Sequence, residues 1–196
     1  WRVTRVRVLA QGTPPPTPDT RAHVDPPPRE VGQGEGYFQV GVGQLVPEFR
    51  LIAQNGEALA LSGLAGKAVV LTFIYTRCPM PDFCPLVTHK MVEIQKALGT
   101  ELRERTQLLL VTIDPKFDTP EVLERFGRQS GLDLGQASLL TGPIRQVALL
   151  SSYFGPEFWE QKDGSINHKI RLVVVDSRGR LHAELHGTTW TTDAVI

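Results

Sequence analysis

Cysteine is scarce in this 196-residue chain, which has two. That scarcity argues against a disulfide-built scaffold, because one bridge over a short loop adds little to a domain of this size. It also serves a structural zinc site poorly, since such sites normally take four protein ligands. Net charge is missing too. Twenty-one Lys and Arg balance 21 Asp and Glu, so there is no broad electrostatic case for nucleic acid or an anionic membrane as partner. No apolar run approaches the ~20 residues of a membrane helix. The chain starts at Trp1 rather than Met, and any signal peptide or anchor is expected upstream of it.

Proline and glycine, by contrast, are plentiful and unevenly placed. From Gln11 to about Gly36 the chain is rich in proline, glycine and charge, with Pro14-Pro15-Pro16 and Pro26-Pro27-Pro28. Such a stretch is expected to be an extended linker or a strap on the surface. Trp1–Leu9 alternates apolar and basic residues, which is strand periodicity. It reads equally as the last strand of an upstream domain or as an edge strand of the main one. We therefore divide the chain into an extended segment, 1–42, and a main domain, 43–196.

Within the main domain, Leu45–Ile52 carries a short strand and Asn55-Gly56 signals a hairpin turn. Ala68–Tyr75, apolar apart from Thr72 and Tyr75, is read as a buried strand. Pro85 then opens a helix with Val87, Met91, Ile94 and Leu98 at helical spacing, and Gly99 is a suitable stop. Gln107–Ile113 is a second apolar strand. Thr119-Pro120 starts another helix, with Thr119 as N-cap and proline at the first helical position. A third helix spans about Pro143–Tyr153. Ile170–Val175 and Leu181–Leu185 form a hairpin about Ser177-Arg178-Gly179-Arg180, and Thr191 or Thr192 is expected to cap a last helix. Alternation of this kind predicts an α/β domain: a thioredoxin-like mixed central sheet flanked by helices.

The two cysteines sit where such a sheet places its sites, in the loop after a central strand. That loop reads Thr76-Arg-Cys78-Pro-Met80-Pro-Asp82-Phe83-Cys84-Pro85. Each proline biases the residue before it toward extended backbone. Cys84, preceding a proline at the helix start, is expected to be the N-cap, where the positive helix end favours a thiolate. Arg77 would add to that if it pointed inward, but a solvated side chain is the expectation. Five residues between the cysteines is loose for a Cys-x-x-Cys oxidoreductase. The spacing still allows both sulfurs to meet one metal ion or each other.

A third ligand is needed, and His168, just ahead of the strand at 170, is the best candidate. Ordinary thioredoxins carry a cis-proline at that point of the sheet. Two thiolates and an imidazole make a soft three-coordinate set that suits Cu(I). Zinc would lack a fourth ligand unless Asp82 supplied it, and Cu(II) would need an added oxygen ligand. Met80 is an accessory thioether more often expected to pack or stay exposed. His89 is read as a surface or satisfied histidine; His182 and His186 flank the last strand on one face, too far apart for an easy shared metal, and His23 lies in the linker. Asp114 ends the second strand on the site side, where it orients the loop, recognises a partner or simply turns the chain. Tyr75 and Phe83 are expected to shield the site from water.

These residues resemble the metal loop of the Sco/SenC family of copper-binding, thioredoxin-like proteins. Phe73-Ile-Tyr-Thr-Arg-Cys-Pro with Asp82-Phe-Cys-Pro85 carries the first part of the likeness. Val111-Thr-Ile-Asp-Pro-Lys-Phe-Asp-Thr-Pro-Glu-Val-Leu123 is similar to a second family signature, and His168 falls where the family keeps a histidine ligand. The resemblance covers about residues 43–196. It implies copper ligation by Cys78, Cys84 and His168. It implies work outside the cytoplasm, in a bacterial periplasm or on the outer face of the membrane, tethered in the full-length protein. It also implies a metallochaperone role in assembling the dinuclear copper site of cytochrome c oxidase, with that enzyme's copper-bearing subunit or another copper or redox protein as partner. Two departures stand out. The family loop has three residues between its cysteines, and the family histidine commonly lies between Asp and Ser rather than Asn167 and Lys169.

The competing reading is a thiol–disulfide oxidoreductase in which Cys78 and Cys84 are the catalytic dithiol and His168 is dispensable. A peroxiredoxin-like peroxidase fits less well. Its Thr-x-x-Cys setting is displaced by one residue at Thr76-Arg77-Cys78, and a second cysteine follows in the same loop.

Overall fold

The computed structural model describes residues 39–155, 158–160 and 166–196. The alternating segment 1–9, the proline-rich stretch and His23 lie outside the described residues.

In chain order the elements are β1 (Arg50–Ala53), β2 (Ala58–Ala60), β3 (Ala68–Ile74), α1 (Cys84–Ala97), α2 (Thr100–Glu104), β4 (Thr106–Thr112), α3 (Pro120–Gln129), β5 (Ala137–Thr141) and α4 (Ile144–Ser152). A small hairpin follows, β6 (Phe158–Glu160) with β7 (Ile166–His168), and then β8 (Arg171–Val175) and β9 (Leu181–His186). Seven strands form one mixed sheet in the order β2-β1-β5-β4-β3-β8-β9. β3, β4 and β5 run parallel, while β8 pairs antiparallel with β3, in register Val70↔Val174. This is the mixed α/β sheet expected from the sequence.

The central strands are apolar because both faces are covered. Every residue of β3 and β4 is buried, the pattern of interior parallel strands. α1 presents Val87, Met91 and Ile94 to the core, all fully buried. Phe73 meets Phe154 at 6.5 Å between ring centroids. Burying each such side chain contributes ~1.5–3 kcal/mol, so β3 and its loop stand on a rigid platform.

Several boundaries differ from expectation. The first strand starts only at Arg50, after Pro47, which has no N–H to give a ladder. Leu45 keeps a single bridge to Arg180. The Asn55-Gly56 turn is present: Gly56 takes φ +82, and the Asn55 side chain accepts from the Glu57 N–H at 3.0 Å. α1 stops at Ala97 with Leu98 as C-cap, just ahead of Gly99 as expected, but Gly99 takes φ −64 and serves as the N-cap of a short helix, α2, that was not foreseen. Thr119 caps α3 as expected, its side chain accepting from the Val122 N–H at 3.4 Å. β5 was not foreseen. It is five residues long between two helices, and it completes the parallel set. The last helix is only a 3-10 turn, Thr192–Ala194, without a side-chain cap.

Candidate metal centre

The dithiol loop leaves the buried end of β3 and is fastened at once. Thr76 donates to the Asp118 carboxylate from its backbone N–H, at 3.1 Å, and from its hydroxyl. The Thr112 hydroxyl donates to the same carboxylate. Asp118 is fully buried. Burial pushes its pKa up, and the donors from Thr112 and Thr76 only partly offset that. One turn earlier, Asp114 accepts from Arg77 Nε at 2.6 Å. The guanidinium also lies 4.9 Å from the centre of the Phe117 ring. Arg77 is thus half-exposed but paired, which corrects the expectation of a merely solvated side chain. The segment after β4 buttresses residues 76–77: the Asp114 side chain holds Arg77 of the loop, and its carbonyl accepts from the Phe117 and Asp118 N–H groups in the turn that follows.

Cys78 and Cys84 are both free thiols. Cys78 is half-buried; its N–H donates to the Tyr75 carbonyl at 3.3 Å and its thiol faces the Met80 carbonyl at 3.9 Å. Cys84 is 1% exposed and is the first residue of α1, with Phe83 rather than Cys84 at the N-cap. Desolvation pushes the Cys84 thiol up, above its ordinary range, and Cys78 beside it adds to the rise through its charge and a hydrogen bond. The Tyr75 backbone opposes this but does not reverse it. The expected helix-start thiolate is therefore not found: taking the sulfur out of water outweighs the helix end.

His168 ends β7, where it pairs with Phe158. It is 7% exposed, and its Nε2 lies 3.6 Å from Cys84 Sγ, from 84 positions away in the chain. Burial lowers its pKa, so the ring is neutral at neutral pH and keeps a lone pair. Its buried Nδ1 has no well-formed hydrogen bond, and the neighbouring Lys169 backbone only partly offsets the lowering by burial. Tyr75 stands edge-on to the ring, at 5.9 Å and 74°. The Tyr75 pKa is pushed up to about 12, first by burial and then by its hydrogen bond to Cys78, so its hydroxyl stays protonated. On its outer side His168 joins Phe83, Lys169, Arg171, His186 and Thr188 around an open cleft of about 420 Å³.

The structure thus brings Cys84 and His168 together and places Cys78 beside Cys84. Among the described residues no three His, Cys, Asp or Glu side chains are grouped closely enough to hold a metal ion as they stand. Met80 is 49% exposed, and Asp82, His89 and His182 are also exposed. His186 is exposed beside Glu184, with which it makes a 3.7 Å contact. Sequence reasoning overlooked Asp118 and the threonines that bind it. The signal was available in Thr112 and Asp118, which both fall within the stretch from Val111 to Leu123.

A family model described as SCO1/SenC matches residues 39–196. The SCO1 protein homolog of Bacillus subtilis is 30% identical over 146 residues, covering 72% of this chain and 74% of that protein. The structure of Bradyrhizobium japonicum ScoI with copper bound superposes with a TM-score of 0.64 at 24% identity, over 78% of this chain and 95% of that one. BsSco, described through a disulfide switch and as a member of the Sco family of cytochrome c oxidase assembly proteins, gives 0.66 at 22% identity, over 79% and 91%. At these identities the structural likeness speaks for the fold.

Proposed function

This chain belongs to the SCO1/SenC family, and on that premise we propose that it is a copper metallochaperone whose cargo is held by Cys78, Cys84 and His168. The observation that carries the reading is the 3.6 Å approach of His168 Nε2 to Cys84 Sγ across the fold. The donor set fits a soft ion. Two sulfurs and a neutral imidazole favour Cu(I). Gathering all three donors requires a rearrangement at the site, since no three are close enough as they stand, and the 78–83 segment is half-buried to exposed. The recipient in this reading is the copper-bearing subunit of cytochrome c oxidase or another copper or redox protein. The place of work is extracytoplasmic, with the chain tethered to a membrane in its full-length form. Among the described residues no helix is long and apolar enough to cross one.

Anaerobic Cu(I) titration of the reduced protein against a chromogenic chelator tests this. One Cu(I) per chain is expected, with affinity lost in His168→Ala and in either Cys→Ser. Equal affinity in His168→Ala would remove the histidine from the site.

The unequal burial of the thiols favours a second activity on the same residues. Cys78 is accessible and Cys84 is not. In a dithiol exchange the Cys78 thiolate attacks a partner disulfide, forming a mixed disulfide and releasing one partner thiol. Cys84 then attacks the Cys78 sulfur, releasing the second partner thiol and leaving a Cys78–Cys84 disulfide. Two electrons pass to the partner. Cu(I) binding and exchange both need the reduced pair, so the roles are compatible.

A further inference from the structure

The chain as a whole carries no net charge, but charge is sorted around the cleft on the outer side of His168. Phe83, His168, Lys169, Arg171, His186 and Thr188 line it. Lys169 and Arg171 are permanent cations, and no Asp or Glu is among the described lining residues. A third cation stands behind the rim, where the Lys90 ammonium donates to the Thr188 carbonyl at 2.6 Å. Glu184 is the acidic side chain nearby. It contacts His186 Nε2 at 3.7 Å and offsets part of the Arg171 charge, but it is not part of the lining.

The cationic wall is built in advance. Arg171 on β8 and His186 on β9 are cross-strand neighbours. The Arg171 guanidinium donates from Nε to the Phe154 carbonyl at 3.2 Å and from Nη1 to His186 Nδ1, which fixes its plane. Lys169 is exposed and adjoins His168 in the chain. Phe83, at the N-cap of α1, is half-buried and adds an apolar face. His168 belongs to the cleft and to the metal centre at once, since its Nε2 lies 3.6 Å from Cys84 Sγ.

We propose that this cleft docks an acidic segment of the protein that receives the copper, with its carboxylates against Lys169 and Arg171 and an apolar side chain on Phe83. The inference rests on the copper reading above and gives the recipient a chemistry. An open cleft of about 420 Å³ has room for a few side chains of another chain. Opposite charges across such a contact speed encounter and fix its register. A segment seated here lies against His168, so docking and the copper donors share one face. A small anion would use the same two cations but would leave the Phe83 face without a partner.

The test is a titration of the full, reduced chain with a hexaglutamate peptide, followed by amide chemical shifts. The shifts are expected to move at Lys169, Arg171, Gly187 and Thr188 and not at the far end of α1. The hexaglutamine peptide should leave them in place. Raising the salt from about 10 mM to about 0.1 M shortens the screening length from ~30 to ~10 Å and should weaken binding. Lys169→Glu should weaken it about three- to tenfold, with Cu(I) affinity by chelator competition as in the parent. Lys96→Glu, which reverses an exposed charge elsewhere on α1, should bind the peptide as the parent does. Parental binding by Lys169→Glu, equal binding of hexaglutamine, or shifts confined to other surfaces overturns the docking site. Sodium acetate at the same carboxylate concentration is the small-anion arm, and the same shifts from it would also overturn a partner segment. Cu(I) titration of His168→Ala is run alongside. If that variant loses Cu(I) while the peptide fails to bind the parent, only the docking inference fails. If it keeps parental Cu(I) affinity, the copper reading fails and the cleft loses its claim on a copper recipient.

Discussion

Asp118 offers the sharpest test of how the loop is held. It is fully buried and accepts three hydrogen bonds, from the Thr76 N–H, the Thr76 hydroxyl and the Thr112 hydroxyl. Asp118→Ala strands those donors. The two hydroxyls can rotate toward other acceptors, but the backbone N–H cannot. With each orphaned donor costing ~1–3 kcal/mol, the loss should be about 3–5 kcal/mol, a large part of the ~5–15 kcal/mol that holds a domain together. In a chain of this length that is roughly 6–20 °C in Tm. Asp118→Asn behaves differently. Its carbonyl still accepts, and its amide can donate to a rotated threonine hydroxyl, so about 1 kcal/mol or less is expected. The pH dependence separates the two further. The folded pKa of Asp118 lies above its unfolded value, so the folded state holds the proton more tightly. Its contribution is fully present below the unfolded pKa, near the ordinary carboxylate value, and is lost as pH rises through the folded pKa. Urea unfolding from pH 3.5 to 7 should show that downward component in the parent and lack it in Asp118→Asn. Equal destabilisation by Ala and Asn, or the same slope in parent and Asn variant, would refute the reasoning.

Other perturbations follow from the same geometry. In the reduced native protein, Cys78 should be alkylated at least about tenfold faster than Cys84, since only Cys78 is accessible; peptide-resolved mass spectrometry of a labelling time course checks this, and equal rates would contradict the buried Cys84. Gly127→Ala in α3 would put a methyl 2.8 Å from Leu134 Cδ2 and 3.0 Å from Leu139 Cδ1. Overpacking of that kind should cost ~1–3 kcal/mol, despite the better helix propensity of alanine, and chemical denaturation reads it. Lys90→Met should loosen the segment beside the cleft, because the ammonium donates to the Thr188 and Trp190 carbonyls and lies 4.6 Å from the centre of the Trp190 ring. Faster amide exchange in that segment, with α1 unaffected, is the expected outcome.

Much of the site could be read from residue types. Two cysteines after a mostly apolar run and a histidine ahead of another apolar strand place donors at strand ends, and the antiparallel pairing of β8 with β3 sets the start of one beside the end of the other. What could not be read was energetic. Cys84 looked like a stabilised thiolate because a helix start is positive, but the sequence does not say how dry that position is, and dryness wins. Asp118 looked like one more polar residue before Thr119-Pro120, because its value lies in a backbone N–H and two hydroxyls that only the fold delivers. β5 escaped because five residues between helices carry too little periodicity to separate strand from loop. Arg77 was legible as a cation, but its partner, Asp114, is 37 positions away.

X-ray absorption at the copper edge, on Cu(I)-loaded reduced protein and on His168→Ala, tests the central assignment most directly. Two sulfur scatterers and one nitrogen scatterer are expected in the parent, with the nitrogen shell gone in the variant. Matching spectra from the two proteins would place His168 outside the copper site.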